Sequence, residues 1–86
     1  MKNLATFKNE VCLIAGSGSF AYQAASFLKV KGNLKKIILL AKNNNIKKDF
    51  NKICFQYNIR NLETIITDIK KENIQDVIII GYVELP

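Results

Sequence analysis

The sequence predicts an α/β domain of Rossmann type, with a three-layer architecture and a four-stranded parallel sheet in the strand order 3-2-1-4. Three observations support this fold. Short β-branched apolar runs alternate with helical patterns, the first run ends in the glycine turn Gly16-Ser17-Gly18, and 86 residues suffice for one modest core. We assign residues 1–10 to an N-terminal extension and residues 11–86 to the domain.

The first strand and helix follow from the apolar run and the glycine turn after it. Val11–Ala15 has the composition of a parallel strand buried on both faces. The segment Ser19–Leu28 predicts a helix, with Ser17 or Ser19 capping its first turn and Gly32 ending it. Its predicted core face comprises Phe20, Ala24, Phe27 and Leu28.

The middle of the chain predicts two strands joined by a polar connection. Lys36–Ala41 is the second buried strand, and Lys52–Tyr57 is a third, shorter one. Asn43–Asn45 predicts a loop, and Ile46–Phe50 a single weak helical turn. Right-handed crossovers then make the strands parallel.

The last helix and strand complete the predicted sheet. Asn61 is a predicted N-cap, followed by a helix whose core face comprises Leu62, Ile65, Ile66, Ile69 and Ile74. Asp76–Gly81 is the fourth strand, expected beside the first. Because the carboxyl ends of these two strands form the topological switch point, Gly16–Ser19 and Gly81–Val83 are predicted to line one crevice. The candidate cleft residues are therefore Gly16, Ser17, Gly18, Ser19, Gly81, Tyr82 and Val83.

Composition limits the chemistry that this chain can perform. It has no histidine, and its seven acidic residues are scattered, so neither a histidine-based triad nor a carboxylate metal centre is predicted. We expect Asp68, Glu72 and Asp76 to be solvated. Cys12 and Cys54 are expected to be buried free thiols in strands.

The charge and hydropathy patterns bear on partners. The net charge of +6 permits anionic ligands, but the lysines are spread along the chain, so we favour a solvated surface and predict no nucleic-acid partner. The apolar run Val77–Ile80 is too short to cross a bilayer. Residues 1–10 lack an apolar stretch followed by a small-residue cleavage site, so we expect no signal peptide. Since the chain ends just after a strand expected to be central, we expect a domain cut from a longer protein or a truncated chain.

The segment Gly16–Ala21 fits the pattern G-x-G-x-x-A between a strand and a helix. Three interpretations remain: a dinucleotide site for NAD(P), a contact with a phosphate or sugar phosphate, and a turn that only packs well. A dinucleotide site needs an acidic residue after the second strand, where Ala41-Lys42-Asn43 stands, although Lys42 would tolerate a 2′-phosphate. We therefore favour the phosphate or sugar-phosphate contact.

Three segments in register resemble the N-terminal domain of the bacterial UDP-2,3-diacylglucosamine pyrophosphatases of the lipid A pathway, the α/β two-domain class. Leu13–Phe20 is similar to the family's I-A-G-x-G-x-(F/L)-P, and Ile59–Ile66 to L-G-Q-L-G-K-L-I. Asp76–Pro86 is similar to a strand ending in G-x-V-x-R-P.

This resemblance implies a cytoplasmic hydrolase, peripheral to the inner membrane, that cleaves UDP-2,3-diacylglucosamine to UMP and 2,3-diacylglucosamine 1-phosphate. It also implies that the catalytic residues and Mg²⁺ belong to a C-terminal domain, so this chain alone is expected to be inactive and to hold no cofactor. Its expected partners are that domain and the UDP-sugar lipid substrate. The alternatives are a nucleotide-binding module without catalysis, and a structural half that forms a homodimer or aggregates when isolated.

Overall fold

The computed structural model describes residues 9–81, so the predicted cleft residues Tyr82 and Val83 lie outside the described part of the chain. The elements in order are β1 (Val11–Ala15), α1 (Ser19–Lys31), β2 (Leu34–Leu39), α2 (Asn44–Asp49), β3 (Cys54–Gln56), a short 3₁₀ helix (Ile59–Asn61), α3 (Leu62–Lys71) and β4 (Asp76–Ile80). The sheet has four strands in the order β3-β2-β1-β4, and every neighbouring pair is parallel. The predicted fold class and strand order are thus confirmed.

Strand β1 lies at the centre of the molecule, and its side chains alternate between two apolar layers. Leu13 and Ala15 belong to the layer covered by α1, whereas Cys12 and Ile14 belong to the layer that includes Ile65 of α3. All five β1 residues are buried, as expected of a parallel strand covered on both faces. Because Ala15 pairs with both Leu39 and Ile80, the carboxyl ends of β1, β2 and β4 meet at one edge.

Helix α1 rests on the sheet through small side chains, which corrects the predicted core face. Phe20 and Phe27 are 75% and 39% exposed. The residues of α1 that are buried are Ala21, Ala24, Ala25 and Leu28. A short turn brings the start of the helix close to the sheet, where alanines fit and phenylalanine rings do not. Only Ala24 and Leu28 of the predicted face are buried.

The ends of α1 differ in how far they match the prediction. Gly32 ends the helix as predicted, with φ of 83° and its N–H donating to the carbonyls of Leu28 and Lys29. The predicted serine cap is wrong, because Gly18 is the N-cap and no side chain caps the helix.

Other boundaries are shifted by one or two residues. Strand β2 begins and ends two residues before the predicted Lys36–Ala41, and α2 starts at Asn44 because the Asn43 side chain caps it. Strand β3 is shorter than predicted, and Cys54 in it is only half-buried. Its shorter ladder and its edge position leave it partly open to solvent.

Helix α3 buries a narrower face than predicted. Ile65 and Ile69 are buried, but Leu62 and Ile66 are 47% and 44% exposed, because only one stripe of the helix reaches the sheet. Ile74 is buried as predicted, although it follows the end of the helix. Asn61 is the N-cap residue of α3, as predicted, but its side chain accepts no capping hydrogen bond.

The two edges of the sheet differ in character. Edge strand β3 has three residues, and the Gln56 amide donates to the Leu39 carbonyl at 3.1 Å. Edge strand β4 has five residues of the sequence Asp-Val-Ile-Ile-Ile, with Val77 and Ile79 exposed by 40% and 73%. Native edge strands are usually short or charged, so β4 is less protected against further pairing than β3.

Among the helices of residues 9–81, none is long and apolar enough to span a membrane.

Candidate functional site

The glycine turn lies where the carboxyl ends of β1, β2 and β4 meet. The Gly16 N–H donates to the Ile80 carbonyl at 2.9 Å, and the Leu40 N–H donates to the Ala15 carbonyl at 3.0 Å. Gly18 has φ of 110° and ψ of 158°, a backbone conformation that L side chains rarely adopt. These constraints make the chain leave β1 and enter α1 within three residues.

Gly81 lies against the glycine turn. A Cβ placed on Gly81 would stand 2.7 Å from the Ser17 carbonyl oxygen and 3.0 Å from the Gly16 nitrogen, and its φ is 96°. The structure therefore brings Gly81 to Gly16 and Ser17 on one side of the crevice, with Gly18 and Ser19 following in the same turn.

Asn43 is a site residue that the sequence analysis missed. Its side-chain Nδ2 donates to the carbonyls of Gly16 and Gly18 at 3.2 and 3.3 Å. Its Oδ1 accepts from the Ile46 N–H at 3.3 Å, which caps α2. The available signal was an asparagine in the predicted loop just before a predicted helical turn, but its contact with the glycine turn spans more than 20 residues of sequence.

A cleft of about 310 Å³ opens beside the turn, and most of the residues that line it carry polar side chains. Its lining residues are Gly18, Ser19, Tyr22, Gln23, Lys42, Asn43, Asn44 and Asn45. Lys42 is the charged residue of this lining, and the first turn of α1 carries no acidic residue. A helix start without a competing carboxylate and with a lysine nearby favours an anion over a cation.

Contacts between α1 and α2 support one wall of this cleft. The Tyr22 hydroxyl donates to the Asp49 carboxylate, and this hydrogen bond raises the pKa of Tyr22. The Tyr22 ring meets Phe50 edge-on at 6.0 Å, and the Lys29 ammonium lies 5.4 Å from the centre of the Phe50 ring.

A second polar cluster lies on the α3 side of the sheet. The nearly buried Lys36 pairs with Glu72 at 3.2 Å and lies 4.8 Å from the centre of the Phe55 ring. The Tyr57 hydroxyl donates to Asp68 at 2.9 Å, which raises the pKa of Tyr57. Glu72 is exposed and Asp68 is half-buried, so both remain in contact with solvent as expected, but each also joins the α3 segment to the sheet side through one of these contacts.

Within residues 9–81, no group of three or more histidine, cysteine, aspartate or glutamate side chains could hold a metal ion. Both cysteines are free thiols. Cys12 is buried, and desolvation raises the pKa of its thiol to about 11.

The parallel sheet, the strand-turn-helix glycine motif and the crevice at the carboxyl ends of the strands define a domain of Rossmann type. Residues 10–86 match the family model described as the LpxI N-terminal domain, and the chain belongs to that family. This is the lipid A pathway family that the three sequence segments resemble. The comparisons with curated proteins and with solved structures gave no significant match.

Proposed function

We propose that this chain is the N-terminal domain of a hydrolase that cleaves the pyrophosphate of UDP-2,3-diacylglucosamine, releasing UMP and 2,3-diacylglucosamine 1-phosphate. It forms one wall of the cleft between the two domains, and it is inactive alone. The family match supports the pathway. The observation that carries the ligand role is the start of α1, which has neither a side-chain cap nor an acidic residue and opens into the polar cleft.

In this proposal the glycine turn binds a phosphate or sugar phosphate of the substrate. Gly18 lets the ligand approach the backbone, because it carries no Cβ and its φ of 110° disfavours other residues. Ser19 and Lys42 line the same cleft and offer a hydroxyl and an ammonium to an anion. Gly81 packs directly against Gly16 and Ser17 and so helps to hold the turn. The predicted contributions of Tyr82 and Val83 concern residues that the structure does not describe.

The C-terminal domain supplies the catalytic carboxylates and Mg²⁺ in this proposal. Magnesium prefers oxygen ligands, and metal-assisted phosphoryl chemistry needs several of them together. The residues described between Asn9 and Gly81 offer no such group, so they do not fit a magnesium centre. No step of the reaction is therefore assigned to a metal on this domain.

The apolar surface around β4 supports the proposed attachment of the C-terminal domain. On one face of the sheet, Phe20, Phe27 and Ile80 line an open groove of about 450 Å³. On the other face, Val77 and Ile79 are exposed. Exposed apolar surface of this kind is typical of a surface that packs against another domain. We further propose that the assembled enzyme works in the cytoplasm at the inner membrane, where its lipid substrate lies.

The test joins this chain to a C-terminal domain of the same family and measures UMP release. We expect hydrolysis by the joined protein and none by the 86-residue chain. The informative variant is Ser19→Asp, which places a carboxylate beside the proposed phosphate. Because an acidic residue in the first turn stabilises a helix, this variant should fold normally. We expect its KM to rise roughly tenfold or more, since a like charge opposes the ligand.

The matched control is Thr64→Asp, which adds the same charge to the first turn of α3, an exposed position. We expect its KM to equal that of the unmodified protein. No UMP release by a folded joined protein would exclude the hydrolase function. An equal effect of Ser19→Asp and Thr64→Asp would remove the glycine turn from the binding site. Saturable binding of AMP or NAD by the chain alone would instead favour the nucleotide-binding module.

A further inference from the structure

The Asn43 side chain connects the start of α2 to the glycine turn through all of its polar groups. Its amide nitrogen donates to two carbonyl oxygens, those of Gly16 and Gly18, at 3.2 and 3.3 Å. Its carbonyl oxygen accepts from the Ile46 N–H at 3.3 Å. An asparagine amide has two N–H donors and one carbonyl oxygen, so both donors are used on the turn and the acceptor caps α2.

From this geometry we propose that Asn43 is a positioning residue. It holds the glycine turn in its ligand-binding shape and makes that edge of the cleft a poor site for the ribose of a dinucleotide. This inference rests on the proposed function, in which the turn binds a phosphate or sugar phosphate.

The positioning role follows from the two carbonyl groups. A carbonyl oxygen carries partial negative charge and would repel a phosphate beside it. By donating to the oxygens of Gly16 and Gly18, Asn43 turns both toward itself and offsets part of that charge. Gly18 has no side chain to restrict its backbone, so this pair of hydrogen bonds limits the freedom that the glycines bring to the turn.

The exclusion of a dinucleotide follows from the same contacts. In dinucleotide-binding domains an acidic side chain after the second strand accepts a hydrogen bond from the ribose. In this chain Asn43 follows β2, and its acceptor oxygen is engaged by the Ile46 N–H. The one lone pair that remains belongs to a neutral amide, so a ribose hydroxyl would gain a weaker hydrogen bond here than from the carboxylate of a dinucleotide-binding domain. This side of the cleft is lined by Lys42 and Asn43–Asn45, so it carries no carboxylate.

The test compares two variants that separate the cap from the bridge. Asn43→Asp and Asn43→Ser both keep an oxygen that caps α2, and both are good N-cap residues. Both remove the two N–H donors to the glycine turn, and the single hydroxyl of serine cannot donate to both carbonyl oxygens. In the 86-residue chain, we expect amide hydrogen exchange of Gly16 and Leu40, whose N–H groups donate beside the turn to Ile80 and Ala15, to become roughly tenfold faster in both variants. Exchange of the Ile46 amide should be unchanged.

Binding supplies the second readout, with UDP-N-acetylglucosamine as a water-soluble UDP-sugar and NAD as the competing probe, both followed by NMR titration. We expect both variants to bind the UDP-sugar about tenfold more weakly, which corresponds to about 1.4 kcal/mol. The unmodified chain should not bind NAD at concentrations that saturate the UDP-sugar site.

Each result has a defined meaning. Unchanged exchange at Gly16 and Leu40 in Asn43→Ser would overturn the positioning role and leave Asn43 as a cap alone. Weaker binding in Asn43→Asp but not in Asn43→Ser would assign the effect to charge, which also contradicts the proposal. Tight NAD binding by the unmodified chain would overturn the exclusion. If that chain binds no UDP-sugar, the proposed ligand fails, and the hydrogen-exchange experiment still decides the positioning role.

Discussion

Gly81 and Ser17 are in such close contact that no side chain fits between them. A Cβ on Gly81 would lie 2.7 Å from the Ser17 carbonyl oxygen, closer than real Cβ contacts. The obstacle is backbone, which cannot rotate away as a flexible side chain can. This contact joins the end of β4 to the turn after β1, next to the hydrogen bond from Gly16 to Ile80.

Replacing Gly81 by alanine should therefore destabilise the domain by about 2–3 kcal/mol, since it adds a steric clash to the cost of a positive φ. Gly32→Ala is the control, because Gly32 also has a positive φ, of 83°, but has open space around its Cβ position. We expect Gly32→Ala to cost about 1 kcal/mol. Urea denaturation measures both values, and equal losses would contradict the steric argument.

The Lys36–Glu72 pair should matter for stability because the Lys36 ammonium is nearly buried and would lack a charge partner without Glu72. The Lys36 side chain is 10% exposed, whereas that of Glu72 is 41% exposed. Glu72→Gln should cost about 1–2 kcal/mol, less than a fully buried pair, because solvent screens the carboxylate. Lys36→Met keeps the length of the side chain over the Phe55 ring and should cost less than Glu72→Gln. A double-mutant cycle measures the coupling, and a coupling near zero would show that the pair is not stabilising.

The buried Cys12 thiol should make stability depend on pH in the alkaline range. Burial raises its pKa from 9.0 to about 11, because the thiolate is poorly solvated there. The folded state therefore holds the proton more tightly than the unfolded state. The stability that the protonated Cys12 thiol contributes is complete below pH 9. It is lost as the pH rises to about 11, which lowers the free energy of unfolding by about 2–3 kcal/mol. Cys12→Ala should remove this part of the pH dependence.

The measurement is the difference in unfolding free energy between the unmodified chain and Cys12→Ala from pH 8 to about 11, the range that the shift defines. Tyrosines and lysines titrate in both proteins, so their contributions cancel in the difference. A difference that does not change with pH would contradict the prediction.

The two thiols should differ in reactivity toward a reagent such as DTNB. Cys54 is half-buried, whereas Cys12 is fully buried. Burial raises the pKa of both thiols, and that of Cys12 reaches about 11. Since the exposed thiolate is the reactive species, Cys54 should react first in the folded chain. Cys12 should react only at the rate of unfolding. Loss of all fast reaction in Cys54→Ala would confirm this order, and unchanged fast reaction would contradict it.

The exposed β4 edge should drive self-association of the isolated chain. Ile79 is 73% exposed on a strand whose outer edge has no partner among residues 9–81. Ile79→Lys should therefore weaken association about tenfold or more and change stability by less than about 0.5 kcal/mol. Val30→Lys is the matched control, because Val30 is 87% exposed on α1 and outside the apolar groove. Analytical ultracentrifugation measures both, and equal effects would exclude the β4 edge.

The sequence alone determined the topology and the position of the glycine turn. Alternating apolar strands and helices predict a parallel sheet with right-handed crossovers, and the Rossmann-type pattern with a glycine turn after the first strand predicts the order 3-2-1-4. Gly32 was predicted as a helix end because glycine readily adopts a positive φ. These features depend on residues close together in the chain, which is why a single sequence reveals them.

Only the tertiary structure decided which side chains meet at the site and in the core. The pattern of α1 offers two apolar stripes, and close approach to the sheet selected Ala21 and Ala25 over Phe20 and Phe27. The burial of Lys36 depends on Glu72, which lies 36 residues further along the chain. The glycine turn itself was predictable, but the Asn43 amide that holds it comes from another loop. Such contacts arise when folding brings distant segments together, and local periodicity carries no information about them.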